Sequence, residues 1–260
     1  MNQPPPPLNV RSLHELLNMQ VPDIPFIVEP QLIAVGGSMF VFGDQELWKS
    51  WIAIELAFAV STGTNWLGLY PTKKKRVLLI QTEQVELQYR KRIVKFAANI
   101  NGNKPTDLFF ATDLSIKFDN AFGLGILEAR IQEYHPDLII IDNLYHTITG
   151  AVADEAAVKH FIDGLGAFQQ KYQTAFCIIH HPRKDQNSDN FDKSDIQNLY
   201  GSGTLLWWAD TIAHVTKHPS FTDIRPMMQL EFQKVKNSEM GRPEPIRLRG
   251  DFETVRLTLH

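Results

Sequence analysis

Leu138-Ile139-Ile140-Ile141, a run of four aliphatic residues that stops at Asp142, constrains this chain more than any other feature. A run so short and so apolar offers no side to water, so it reads as a strand buried on both faces. It is one of a series. Met39-Phe40-Val41-Phe42 stops at Gly43, residues 48–61 come next with helical spacing (Ile52, Leu56, Ala59, Val60), and Arg76–Ile80 is again strand-like. Residues 84–98 read as a helix, Leu108-Phe109-Phe110 as a strand, 121–134 as a helix ending before Pro136, 154–171 as a helix, and Ala175–Ile179 as a strand ending at His180-His181. Buried strands separated by helices of 12–18 residues predict an α/β domain of β-α-β units, with a mostly parallel twisted sheet and helices on both faces. Beyond residue 210 the rhythm changes. Thr211–Thr216, Met228–Val235, Ile246–Arg249 and Val255–Leu259 read as strands separated by breakers such as Gly241-Arg242-Pro243, and predict an antiparallel C-terminal extension of the same sheet.

The first 35 residues differ. Pro4–Pro7 favours polyproline II. Leu13, Leu16 and Leu17 have a short helical spacing, and Pro22, Pro25 and Pro30 interrupt the chain after them. We divide the chain into an arm or linker, 1–35, and a domain, 36–260. The 260 residues carry 43% hydrophobic and 21% charged side chains, which excludes wholesale disorder, collagen and coiled coil. A net charge of −3 argues against a protein that coats nucleic acid with its whole surface, while leaving room for a local basic groove. The single Cys177 permits neither an internal disulfide nor a paired-cysteine zinc site. No apolar run approaches the ~18–20 residues of a membrane span, and no basic segment precedes an apolar leader, so the expected location is cytoplasmic with no membrane partner.

The strand-to-helix turn Gly43-Asp44-Gln45-Glu46-Leu47-Trp48-Lys49-Ser50 matches the phosphate-loop pattern G-x-x-x-x-G-K-[S/T], except that Trp48 fills the second glycine position. Such a loop curls backbone N–H groups around a phosphate at the positive end of a helix. Lys49 is long enough to reach terminal phosphates, and Ser50 supplies a hydroxyl for Mg²⁺. Trp48 is the awkward residue, because the glycine it replaces can adopt positive φ without cost. The bland reading is an ordinary strand–turn–helix with a surface lysine. Asp142, at the tip of the most apolar strand, is placed to hold a Mg²⁺ water. Glu83, after the strand Leu78-Leu79-Ile80, is placed to orient or deprotonate an attacking water.

In this order the blocks resemble the RecA-like P-loop ATPases, and within them the AAA_25 group with its RepA-type hexameric replicative helicases. The resemblance covers most of residues 25–258. Gly43–Ser50 stands for Walker A and is followed by Trp51-Ile52-Ala53-Ile54-Glu55-Leu56-Ala57. Val77–Glu83 carries the glutamate that these proteins use as catalytic base, with Arg90 and Arg92 after it. Leu138–Asp142 stands for Walker B, and His180-His181-Pro182-Arg183-Lys184 for the sensor block. Gly201–Asp210 and Lys234-Val235-Lys236-Asn237 complete the series. The family's usual glycine two residues before the aromatic is here Glu46, which sets a carboxylate near the expected phosphates.

The resemblance implies ATP and Mg²⁺ as cofactors, with Gly43, Asp44, Gln45, Glu46, Leu47, Trp48, Lys49, Ser50 and Trp51 around the nucleotide. Ser50 and Asp142 would take the metal, and Glu83 the role of base. His180 or His181 would sense the γ-phosphate, and Lys236 or Arg242 would reach a neighbouring subunit's nucleotide. It also implies self-association into a ring, as a hexamer, or into a filament, and a motor ATPase acting on single-stranded DNA in plasmid, phage or mobile-element replication or recombination. The alternative is an ATP-gated assembly or loader protein with weak hydrolysis and no unwinding. Charge does not favour DNA: the polar stretch 183–200 carries Arg183, Lys184 and Lys193 against Asp185, Asp189, Asp192 and Asp195, and residues 143–153 carry no Lys or Arg. Read as metal ligands, His180-His181 lack a third residue at zinc spacing. Lys73–Arg76 and Arg90–Arg92 are the basic clusters, each a solvated face unless a partner covers it.

Overall fold

The computed structural model describes residues 10–20, 25–100, 102, 104–150, 154–181, 203–236, 238–239 and 241–260. The Pro4–Pro7 run, the stretch 183–200 and Gly201-Ser202 lie outside them.

A helix α1 (Leu13–Asn18) is capped by a Ser12–Glu15 capping box and buries none of its residues. A small antiparallel hairpin comes next, β1 (Phe26–Val28) and β2 (Ile33–Ala34). Its Ile27, Val28, Leu32 and Ile33 are fully buried in the main core. The chain then alternates: β3 (Ser38–Gly43), α2 (Lys49–Thr62), β4 (Val77–Gln81), α3 (Glu86–Ala98), β5 (Leu108–Thr112), α4 (Ala121–Tyr134), β6 (Leu138–Asp142), the one-turn α5 (Leu144–Thr147), α6 (Glu155–Tyr172) and β7 (Ala175–His180). After α7 (Gly203–Trp208) come β8 (Thr211–Lys217), β9 (Met227–Val235), β10 (Ile246–Gly250) and β11 (Leu257–Leu259).

The large sheet has nine strands in the order β11-β10-β9-β8-β3-β7-β6-β4-β5. From β8 to β5 every pairing is parallel, and from β8 to β11 every pairing is antiparallel. The antiparallel extension expected from residue 211 therefore begins one strand later, at β9. β8 lies parallel to β3, because the chain between β7 and β8 is long enough for a crossover and closes it with α7. The last strand begins at Leu257 rather than Val255, whose φ of 52° lies in the left-handed region.

β3, β4, β6 and β7 are buried along their whole length, and successive residues feed two cores. Met39, Val41, Leu79, Ile140 and Cys177 face the core that contains α2, while Phe40, Phe42, Leu78, Ile139, Ile141 and Ile178 face the one under α4 and α6. Eleven of the fourteen residues of α2 are buried, so this helix is a core element rather than an amphipathic cover. It ends on Gly63 at φ 74°, the left-handed stop that a glycine supplies most cheaply. Among the described residues no helix is long and apolar enough to cross a membrane.

Candidate nucleotide site

The parallel strands deliver their carboxyl ends to one edge of the sheet, where α/β proteins place their ligands. β3 runs into the phosphate loop, and α2 leaves it. Trp48 occupies the turn just before the helix at φ 57° and ψ 18°, so the residue in the glycine position does adopt the left-handed conformation. Glu46 is likewise left-handed, at φ 65°, and is exposed on the rim. Lys49 is only 3% exposed, and its ammonium donates to the carbonyl oxygen of Asp44. Loss of hydration pulls its pKa down to about 8, partly offset by Asp142, Asp44 and Glu83. A buried cation with so few partners is a receptor for a polyanion.

Asp142 and Gln81 sit side by side at the tips of β6 and β4. The Asp142 carboxyl is 3% exposed and accepts a hydrogen bond from the Ser50 hydroxyl, while its Oδ1 is buried without a protein partner among the described residues. Burial raises its pKa to about 6. An orphaned carboxylate oxygen beside a serine hydroxyl and a buried lysine fits a Mg²⁺ ion. That ion is characteristically held by one or two protein oxygens together with phosphates, not by an all-protein cage. Consistent with this, no group of three or more His, Cys, Asp or Glu side chains among the described residues is arranged to hold a metal by itself.

Glu83 comes just after β4. Its Oε1 accepts from the Asn143 amide, lies 3.5 Å from His181 Nε2 and 3.8 Å from His146 Nε2. The hydrogen bond from His181 holds its pKa below the ordinary glutamate range, against the opposing effect of burial. The carboxylate is thus ionised at neutral pH and able to accept a proton. Asn143 is pinned in turn, its backbone N–H donating to Thr82 Oγ1 at 3.2 Å, while Thr82 N–H donates to the Asp142 carbonyl at 3.0 Å. The Asp142–Asn143 peptide is cis.

The histidine pair splits. His181 lines the same cavity as Lys49 and Glu83. His180 belongs to the strand, is 2% exposed, and meets Phe40 edge-on at 6.0 Å. Burial drives its pKa down to about 3, so it is neutral. Adjacent strand residues face opposite sides, and this alone separates the two. His214, paired with Phe42 across β8, stacks on that ring at 4.2 Å and is also held neutral by burial, at about 4.

The cavity, of about 460 Å³, runs from Lys49, Ser50, Glu83 and His181 to an aromatic far end formed by Trp51, Phe221 and Phe252, with Arg92 and Asp223. The Arg92 guanidinium lies over the Trp51 ring at 5.6 Å. Phe252 rides on the β10–β11 hairpin. That hairpin is anchored to α2 by the Arg256–Glu55 ion pair at 2.7 Å and to α3 by Lys95, which donates to the Phe252 carbonyl at 2.8 Å. Phe221, Phe252 and Asn143 carry no motif in the sequence; only the fold brings them in. Lys236 and Arg242 do not line this cavity. Lys236 lies 3.4 Å from Asp210, and Arg242 donates to the Gln233 carbonyl at 3.0 Å. Arg90 points to solvent.

A phosphate loop at the head of a buried helix, with two carboxylates at neighbouring strand tips, defines a P-loop NTPase on a RecA-like sheet. Residues 4–187 match the model of the AAA_25 family, described as an AAA domain, and the chain belongs to that family. Its fold is similar to that of the ATPase domain of a solved helicase, with a TM-score of 0.63 at 12% identity, over 85% of this chain and 84% of that one. No curated protein matches the sequence.

Proposed function

We propose that this protein is a Mg²⁺-dependent ATPase that works as a ring, a hexamer by the family resemblance, or as a filament on single-stranded DNA, in the manner of a replicative helicase. The observation that carries the ATPase reading is the convergence of Lys49, the Ser50–Asp142 pair and Glu83 on one cavity from three separate strand ends. Residues 44–50 and Lys49 bind the phosphates. Ser50 and Asp142 hold Mg²⁺, whose chemistry here is to neutralise phosphate charge. Glu83, oriented by Asn143 and His181, accepts the proton of the attacking water at its carboxylate. His181, in contact with Glu83 and facing the cavity, is the candidate sensor of the γ-phosphate, while His180 packs beneath it. Lys236 and Arg242, outside their own chain's cavity, are available to a neighbour's nucleotide. The helicase part rests on the family resemblance and on the likeness to that helicase ATPase domain.

A phosphate-release assay with and without single-stranded DNA, run on wild type and on Glu83→Gln, tests the reading. The expected result is wild-type hydrolysis, and in the variant retained nucleotide binding with turnover reduced by about 10²–10⁴-fold. Full turnover in Glu83→Gln removes that residue from the role. Glu46 on the rim of the loop favours the second reading, an ATP-gated loader that hydrolyses slowly. Phosphate release without strand displacement would select it.

A further inference from the structure

The second glycine position of the phosphate loop carries the largest of all side chains, and its indole is packed away instead of facing a ligand. Trp48 is 8% exposed, stands edge-on to Phe252 at 5.1 Å, and lies 6.0 Å from Trp51. Beneath it is Gly250. A Cβ built on Gly250 would meet three atoms of the Trp48 ring at 2.9 Å, closer than real Cβ contacts come. Gly250 does not serve a turn. It is a strand residue of β10, in register with Leu257, its N–H donating to the Pro226 carbonyl at 2.9 Å, and its φ is not left-handed. Backbone geometry therefore does not require glycine at this position, but the indole does.

We propose that Trp48 is a positioning residue. Its indole is seated in a socket that exists because residue 250 has no side chain. There it holds the phosphate loop in its left-handed turn and ties that turn to the hairpin bearing Phe252. A left-handed conformation is costly for a tryptophan and free for a glycine, so the loop needs a tether that the usual sequence does not. Burial of the ring against Gly250 and Phe252 provides one. The two ends of the cavity then move as one body, because the hairpin is also fixed to α2 through Glu55 and Arg256. This inference rests on the nucleotide reading above.

The test is a titration of the full chain with a fluorescent ATP analogue, with thermal melting alongside. Trp48→Ala keeps the left-handed cost and loses the tether, and should weaken binding about tenfold. Trp48→Gly removes both and should bind several-fold more tightly than Trp48→Ala. Gly250→Val should cost about tenfold in the Trp48 background and nothing further when added to Trp48→Gly. Gly250→Ala, which brings only the colliding Cβ, gives the same pattern at smaller amplitude if the valine variant does not fold. Equal weakness of Trp48→Ala and Trp48→Gly would mean that the indole serves as a ligand contact, and overturns the proposal. So does a Gly250→Val penalty that is the same in both backgrounds. Absence of analogue binding in the wild type overturns the nucleotide reading itself. It is told apart from failure of the tether alone, in which the wild type binds and the variants break the pattern.

Discussion

The two ends of the cavity are built on different plans. The phosphate end comes from one eight-residue turn and the tips of parallel strands that lie side by side, and its key groups are buried and charged. Lys49 and Asp142 are each 3% exposed, and both are perturbed by lost hydration. The base end is assembled from Trp51, Arg92, Phe221 and Phe252, four segments scattered over two hundred residues of chain, and Phe252 is 51% exposed. One end demands charges at fixed positions in a dry site. The other demands only flat aromatic surface, which many segments can supply. The contrast teaches that catalytic precision is localised in sequence, whereas ligand surface is recruited by folding.

Substitutions can break that contrast. The largest expected effect is Lys49→Ala, which removes the buried cation: ATP hydrolysis should fall at least ~10²–10³-fold in a phosphate-release assay. Retained turnover would show that the phosphate end does not work as a charged receptor. Next in size is an acid effect beneath that end. His180 is neutral when folded, with a pKa of about 3, and ordinary when unfolded, so the unfolded chain takes up the extra proton. Stability is complete above about pH 6.5 and is lost as pH falls toward 4, by ~3 kcal/mol for this group. His180→Leu should flatten the pH dependence of urea unfolding by ~1.4 kcal/mol per pH unit in that window. At the base end, Glu55→Ala leaves Arg256 and the Leu257 N–H without their acceptor. A stability loss of ~2 kcal/mol, read as a lower melting temperature, is expected. Smallest is Phe252→Ala, which should weaken ATP binding by about tenfold through lost stacking, with little effect on inorganic triphosphate. Equal losses for the two ligands would show that the ends are not separable.

Much of the framework was legible in the residues. The helix predicted over 121–134 is α4 to the residue, and Leu138–Ile141 with its terminal Asp142 is β6, because four aliphatic residues in a row can only be buried on both faces. Trp48 was the conspicuous exception to the phosphate-loop pattern, and the structure shows it meeting the left-handed geometry of the glycine it replaces. Pairing direction at β8 was not legible. Parallel and antiparallel strands bury the same side chains, and only the crossover through α7 sets the choice. The difference between His180 and His181 needed strand register, which a two-letter repeat cannot convey.

By itself the amino-acid sequence determined the order of strands and helices, and the three places where a strand ends in a lysine-bearing turn or a carboxylate. Hydrophobic period and local turn chemistry are short-range properties that a chain carries with it. Tertiary structure alone decided that Gly250 underlies Trp48, that Phe252 and Phe221 close the far end, and that Asn143 and His181 hold Glu83. These contacts join residues far apart in the chain, or turn on which face of a strand a side chain takes. Their partners are chosen by how the sheet closes on α2, and no local pattern records that choice.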